Sequence, residues 1–249
     1  MQIVAVIPAR HASTRLPGKP LLSETGRPLI QHVVESARSA RSLQRIVVAT
    51  DDARIHDAVV AFGGEAMMTR ADHPTGTDRV AEVAARIAEA GIIVNIQGDE
   101  PEIAGETIDQ LVSLLQQDPD ARMATLATPI REESVYRDPS CVKVVRSRNN
   151  RALYFSRSPI PCHRDGLPSG GGEPIGLLHL GLYAFRRDFL LSIASLPPSA
   201  LEAAEKLEQL RVLEAGHAIA IGVVEEPGVG IDTPADYRRF VERWRARGQ

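Results

Sequence analysis

An α/β architecture is what this chain predicts: a mostly parallel central sheet, helices on both of its faces, and a smaller mixed-sheet lobe. Three observations predict it. Continuous apolar runs alternate with helix-period segments up to about Pro129, the pattern of strand–helix–strand units. Beyond Pro129 three strand-like runs follow one another with no long helix between them. The chain then closes on helix, strand and helix. A length of 249 residues suits one domain spanning 1–249, with a lobe inserted at about 130–190.

Taken in order, Met1–Ile7 is apolar throughout, as a strand buried on both faces should be. Pro28 can open a helix with Leu29, Ile30, Val33 and Val34 on one side. Arg45–Thr50 is a second buried strand, and Ala53–Phe62 is a helix stopped by Gly63-Gly64. Glu65–Met68 reads as a short strand. A loop from His73 runs into a helix ending at Arg86. Strand Ile92–Ile96, helix Glu106–Gln116 and strand Met123–Thr128 complete the alternating half. Val142–Val145, Ala152–Phe155 and Leu177–Phe185 form the lobe, with a Gly-, Ser- and Pro-rich loop at Arg164–Gly172. A helix over Leu201–Ala215 with Leu207, Leu210 and Leu213 in the core, a strand over Ala218–Val224 and a helix over Pro234–Arg247 finish the chain.

The composition excludes several classes of function. Net charge is −3, which argues against a nucleic-acid or anionic-membrane surface. No apolar run approaches the roughly 20 residues of a membrane span. The first residues lack the basic region and cleavage site of a signal peptide. Cys141 and Cys162 form no C-x-x-C pair, so neither a thiolate metal site nor a disulfide framework is expected, and a reducing cytoplasm fits best.

The chemistry gathers after the strands. Arg10, Arg15 and Lys19 fall within ten positions on a loop shaped by Gly18 and two prolines, directly after the first strand. Ligand crevices of open α/β sheets lie at strand carboxyl ends, and fixed cations there suit a triphosphate. Neither a Walker loop nor a G-x-G-x-x-G is present. Loops Ala9–Lys19, Asp51-Asp52 and Gln97–Pro101 follow three strands that, in a parallel sheet, open on one edge. Cations beside a carboxylate that holds Mg²⁺ are what phosphoryl or nucleotidyl transfer requires. Asp99 is either such a carboxylate or a turn residue. Asp232, before the last helix, is either a second metal ligand or that helix's N-cap, with Thr233 a rival for the cap. His73–Arg79 is either a capped helix start or a turn that bonds a base or ribose. The Gly170–Gly172 run reads as a mobile loop, and the basic residues Arg243–Arg247 as the solvated end of a helix.

With these residues assembled, the chain resembles the 3-deoxy-manno-octulosonate cytidylyltransferases over nearly its whole length. The resemblance rests on Ile7–Pro20, Ala49–Asp52, His73–Arg79, Asn95–Pro101, Ala152–Pro161, His179–Tyr183, Leu201–Arg211 and Gly230–Pro234. The first of these is common to other cytidylyltransferases. Tyr154–Pro161 and Glu208–Arg211 are much narrower markers. The resemblance implies a Rossmann-like nucleotide-diphospho-sugar transferase fold. It implies CTP contacts at Arg10, Ser13, Arg15, Lys19, Thr75, Arg79 and Gln97. Mg²⁺ would be held by Asp99 and Asp232. The sugar acid would be met by Gln97, Arg157, His179, Tyr183, Glu208 and Gln209, with Arg157 a clamp for its carboxylate. The implied reaction joins CMP from CTP to 3-deoxy-D-manno-octulosonate (Kdo), releasing diphosphate and activating Kdo for lipopolysaccharide synthesis. A cytoplasmic homodimer, in contact through the middle lobe, is also implied. His11 departs from the aromatic residue usual in the family. Two rival readings stand beside it: a cytidylyltransferase for sialic acid or 8-amino-Kdo, and a nucleotide-binding protein without turnover.

Overall fold

The computed structural model describes residues 1–12, 16–168 and 172–248. Ser13 and Arg15 of the first loop, and residues 169–171 of the Gly-rich loop, lie outside them. The chain divides into two compact units, Met1–Asp109 with Gly228–Gln249, and Gln110–Pro227.

The first unit alternates strand and helix. It runs β1 (Gln2–Ala9), α1 (Leu29–Ala37), β2 (Arg45–Thr50), α2 (Ala53–Ala61), β3 (Glu65–Met68), α3 (Gly76–Arg86) and β4 (Ala90–Asn95). The unit division falls within α4 (Gly105–Gln117). β1 lies between β2 and β4, and β3 flanks β2, all in parallel register with Val6 opposite Val47 and Asn95. The carboxyl ends of β1, β2 and β4 therefore share one edge, as the apolar runs predict.

Helix starts in this unit carry side-chain caps. The Asp52 side chain accepts from Arg54 N–H at the start of α2. Thr75 and Asp78 form a reciprocal capping box on α3. Two glycines are required by geometry. Gly18 takes φ 67°, a left-handed conformation that suits glycine. A Cβ on Gly98 would sit 2.8 Å from Pro8 O, so only glycine lets the loop after β4 lie against the end of β1.

The second unit contains β5 (Met123–Ile130), α5 (Glu133–Arg137), β6 (Lys143–Arg146), β7 (Ala152–Ser156), β8 (Gly176–Arg186), α6 (Arg187–Ile193), α7 (Ala200–Glu205), α8 (Gln209–Glu214) and β9 (Ile219–Val223). The sheet is mixed: β5 pairs antiparallel with β8 and parallel with β9, and β6 with β7 antiparallel. The β5–β8 ladder slips once. Thr125 is opposite Tyr183, and Leu126 is opposite Leu180, so Gly181 and Leu182 are two extra residues on β8. α9 (Pro234–Ala246) belongs to the first unit, with Thr233 and Asp236 forming its capping box and Pro234 in its first turn. Among the described residues no helix is long and apolar enough to cross a membrane.

Three expectations differ from the structure. The single helix over Leu201–Ala215 is two, α7 and α8. Lys206 stops α7 with φ 56°, in the left-handed region. Arg157 Nε then donates to Glu205 O at 2.7 Å, satisfying a carbonyl that the helix leaves open. Leu207 and Leu210 are buried as expected, but Leu213 is only half-buried and Val212 is the enclosed residue. The short helices α5 and α6 were not foreseen.

Candidate active site

In the first unit, the ends of β1 and β4, the Lys19–Leu21 3-10 turn and the start of α3 line a cavity of about 340 Å³. Arg10, Lys19, Gln97 and Asp99 all line it. Lys19 is its electrostatic centre. Nζ donates to Asp99 Oδ2 at 2.8 Å and to Ile231 O at 2.8 Å, and lies 3.7 Å from Asp232 Oδ1. One ammonium therefore draws together two carboxylates that are far apart in sequence. Ile231 N–H also donates to Asp99 O at 2.9 Å, which fastens the loop before α9 to the loop after β4.

Asp232 does not cap α9; Thr233 does. The Asp232 main-chain N–H donates to Asp236, and its carboxylate is directed to the lysine instead. Glu100, adjacent to Asp99, is not among the residues that line the cavity. Burial, and secondarily the Asp99 charge, push its carboxyl up to about 7.

Arg10 has a second engagement. Its Nη2 donates to His73 O at 2.7 Å and Thr75 O at 3.0 Å, tying the end of β1 to the start of α3. The Thr75 hydroxyl is held within the capping box by Asp78. Arg79 does not line the cavity. It is fully buried, with Nη1 on Thr69 Oγ1 and 3.3 Å from Asp51, and burial lowers its pKa. Its Nε and Nη2 have no partner among the described residues.

The residues matched to the sugar acid all belong to the second unit. His179 and Tyr183 sit on either side of the β8 bulge, with ring centroids 5.4 Å apart. Burial lowers His179 to about 3 and raises Tyr183, so both are neutral at pH 7. Glu208 precedes α8 and is exposed, whereas Gln209 begins α8 and is buried. Arg157 is strongly engaged. Besides Glu205 O, its guanidinium donates to Pro139 O at 3.0 Å and reaches Lys206 O at 3.5 Å, while its main-chain N–H donates to Glu205 Oε2 at 2.9 Å. Ser156 Oγ donates to the same carboxylate at 2.6 Å. The two narrow sequence markers are thus one structural piece, with the end of β7 clasped to the α7–α8 break.

Two carboxylates around one cation position suit Mg²⁺, which takes one or two carboxylates and completes its shell with phosphate oxygens and water. Among the described residues no group of three or more His, Cys, Asp or Glu forms an all-protein metal cage. The Asp99–Asp232 pair fits the first pattern.

A parallel α/β unit with a lysine and two carboxylates at its strand carboxyl ends has the build of a nucleotidyltransferase. The chain matches the cytidylyltransferase family over residues 4–219. It is 53% identical over 243 residues to the 3-deoxy-manno-octulosonate cytidylyltransferase of Syntrophotalea carbinolica, covering 96% of this chain and 97% of that one. It is 49% identical to the enzyme of that name from Geobacter sulfurreducens, over 98% and 99% of the two chains. The solved structure of a CMP:2-keto-3-deoxy-manno-octonic acid synthetase complexed with CTP matches with a TM-score of 0.92 at 45% identity, over 99% of this chain and 100% of that one. A 4-diphosphocytidyl-2C-methyl-D-erythritol synthase from Anaerococcus prevotii, 12% identical with a TM-score of 0.63 over 98% of each chain, shares the fold alone. The chain belongs to the 3-deoxy-manno-octulosonate cytidylyltransferase family.

Proposed function

We propose that this protein transfers CMP from CTP to Kdo, giving CMP-Kdo and diphosphate. The observation that carries the reading is Lys19 seated between Asp99 and Asp232 at the strand ends of the first unit. Near-full-length identity to enzymes of that name supports the choice of substrates.

Lys19, with Arg10 and Arg15, neutralises the triphosphate and then the departing diphosphate. Arg10 also holds the start of α3 against the nucleotide crevice. Asp99 and Asp232 would hold Mg²⁺, which when bound offsets phosphate charge and acidifies a neighbouring hydroxyl. Gln97 and Thr75 serve the cytidine side. Arg79, buried beneath that loop, supports it through Thr69 and Asp51. His179, Tyr183, Glu208 and Gln209 bind the sugar acid, whose C2 hydroxyl attacks the α-phosphate in line. Three of Arg157's five N–H groups serve backbone carbonyls, and its remaining donors are the ones offered to the substrate carboxylate. In this reading the protein is a cytoplasmic homodimer. Its two cysteines are free, in keeping with a reducing compartment.

Diphosphate release measured with CTP, ATP or UTP against Kdo, 8-amino-Kdo and sialic acid tests the assignment. Release with CTP and Kdo above all other pairs is expected. Binding of CTP without release, or preference for another sugar acid, overturns it.

A further inference from the structure

We propose that Thr125 is a positioning residue for the sugar acid: it pins the β8 bulge and fixes His179 as the Nε2–H tautomer, leaving Nδ1 to accept a hydroxyl proton of the substrate in a hydrogen bond. The inference rests on the sugar-binding reading of His179 given above.

The geometry starts from strand spacing. Residues four apart on a regular strand share a face but lie about 13 Å apart. The His179 and Tyr183 rings are 5.4 Å apart, because Gly181 and Leu182 are looped out between them. Thr125 holds that loop. It is fully buried, and Oγ1 lies 3.1 Å from Leu180 O, 2.8 Å from Leu182 O and 3.0 Å from His179 Nε2. One side chain thus touches the carbonyl before the bulge, the carbonyl of its second residue, and the imidazole as well.

The proton count then assigns the tautomer. A carbonyl can only accept, so the single hydroxyl proton of Thr125 is directed to Leu180 O and Leu182 O. The hydroxyl oxygen is left as acceptor for His179, so Nε2 carries the hydrogen and donates it. Nδ1 is then the lone-pair nitrogen, and no partner for it occurs among the described residues. The Phe155 ring, 4.9 Å from the imidazole in an edge contact, fixes the ring plane further. A polyhydroxylated acid offers O–H donors, which suit such an acceptor. An imidazole with the opposite tautomer would present an N–H there instead.

The test uses the full chain. Long-range ¹H–¹⁵N correlation spectra, with His179→Gln to assign the signal, should show His179 as Nε2–H in the wild type. Thr125→Val keeps the shape and removes the hydroxyl. It should lose the single-tautomer signature and raise KM for Kdo by about tenfold, with KM for CTP unchanged. Thr125→Ser should restore both. An Nδ1–H tautomer in the wild type overturns the proposal even if Thr125→Val does not fold. So does an unchanged KM for Kdo in Thr125→Val, or a Thr125→Ser that folds but restores neither readout. Absence of Kdo turnover by the wild type would instead defeat the function assignment, and the tautomer signal would still report on the Thr125–His179 contact.

Discussion

At the scale of single residues, the decisive feature is that Lys19 answers two carboxylates at once. Removing either acid leaves the lysine in place but halves the negative charge around the cation position. Asp99→Asn and Asp232→Asn should each lower kcat about a hundredfold or more, since metal-assisted charge stabilisation contributes several kcal/mol. Diphosphate release reads this, and far-ultraviolet circular dichroism should show the fold intact. Near-wild-type turnover in either variant would sink the metal assignment. Lys19→Met removes a donor aimed at the departing charge and should cost about 10²-fold to 10³-fold in kcat. Arg10 was legible as a cation at a strand end. Its hold on His73 O and Thr75 O was not, because a carbonyl acceptor leaves no mark on residue type. Thr125 was hidden for a related reason: threonine in a strand is ordinary until its register against a bulge is known.

Among elements, helix ends carry the clearest expectations. Asp52 caps α2 and pairs with Arg54, whose hydrogen bond is the main cause holding the carboxylate at about 2, below its ordinary value of 3.8. The folded pKa is the lower one, so the stabilisation is present above about pH 4 and fades as pH falls through 2. Asp52→Ala should therefore cost about 1 kcal/mol at pH 7 and progressively less in acid, measured by urea unfolding across pH. An equal cost at pH 2 and pH 7 would contradict the cap. The α7–α8 break makes a second expectation. A left-handed Lys206 costs about 1–2 kcal/mol, while glycine there costs about 0.4–1 kcal/mol in unfolded-chain entropy. Lys206→Gly should thus stabilise slightly, by about 0.5 kcal/mol, and the β-branched Lys206→Val should destabilise. The break itself was not readable as helix punctuation, since Ala203–Arg211 contains neither Gly nor Pro. The carbonyl it leaves open, Glu205 O, is met by Arg157, 48 residues away along the chain. α5 and α6 escaped because five and seven residues give too little periodicity to detect.

For the whole molecule, the first unit was nearly transparent in sequence. Buried parallel strands must be apolar on both faces, so β1, β2 and β4 announce themselves, and their shared direction places Arg10, Lys19 and Asp99 on one edge. The second unit was less so, because a mixed sheet with a bulge has no comparable signature. The division suggests how substrate should protect the protein. CTP at about 100 times its Kd should stabilise the native state by about 2.7 kcal/mol, raising Tm by about 5–10 °C in a scanning calorimeter. With the proposed contacts confined to the first unit, Thr125→Val should leave that shift unchanged. Loss of the CTP shift in Thr125→Val would show that nucleotide binding depends on the β8 bulge.

The bulge has one further property, which follows from its size. An insertion of one residue reverses the inward and outward alternation of everything beyond it; an insertion of two does not. Gly181 and Leu182 therefore alter the spacing between His179 and Tyr183 while Phe185 still stands opposite Met123. Strand parity is conserved across the irregularity. Excising both residues should therefore leave His179 and Tyr183 on one face, two positions and about 7 Å apart, while removing the Leu182 carbonyl that Thr125 Oγ1 meets.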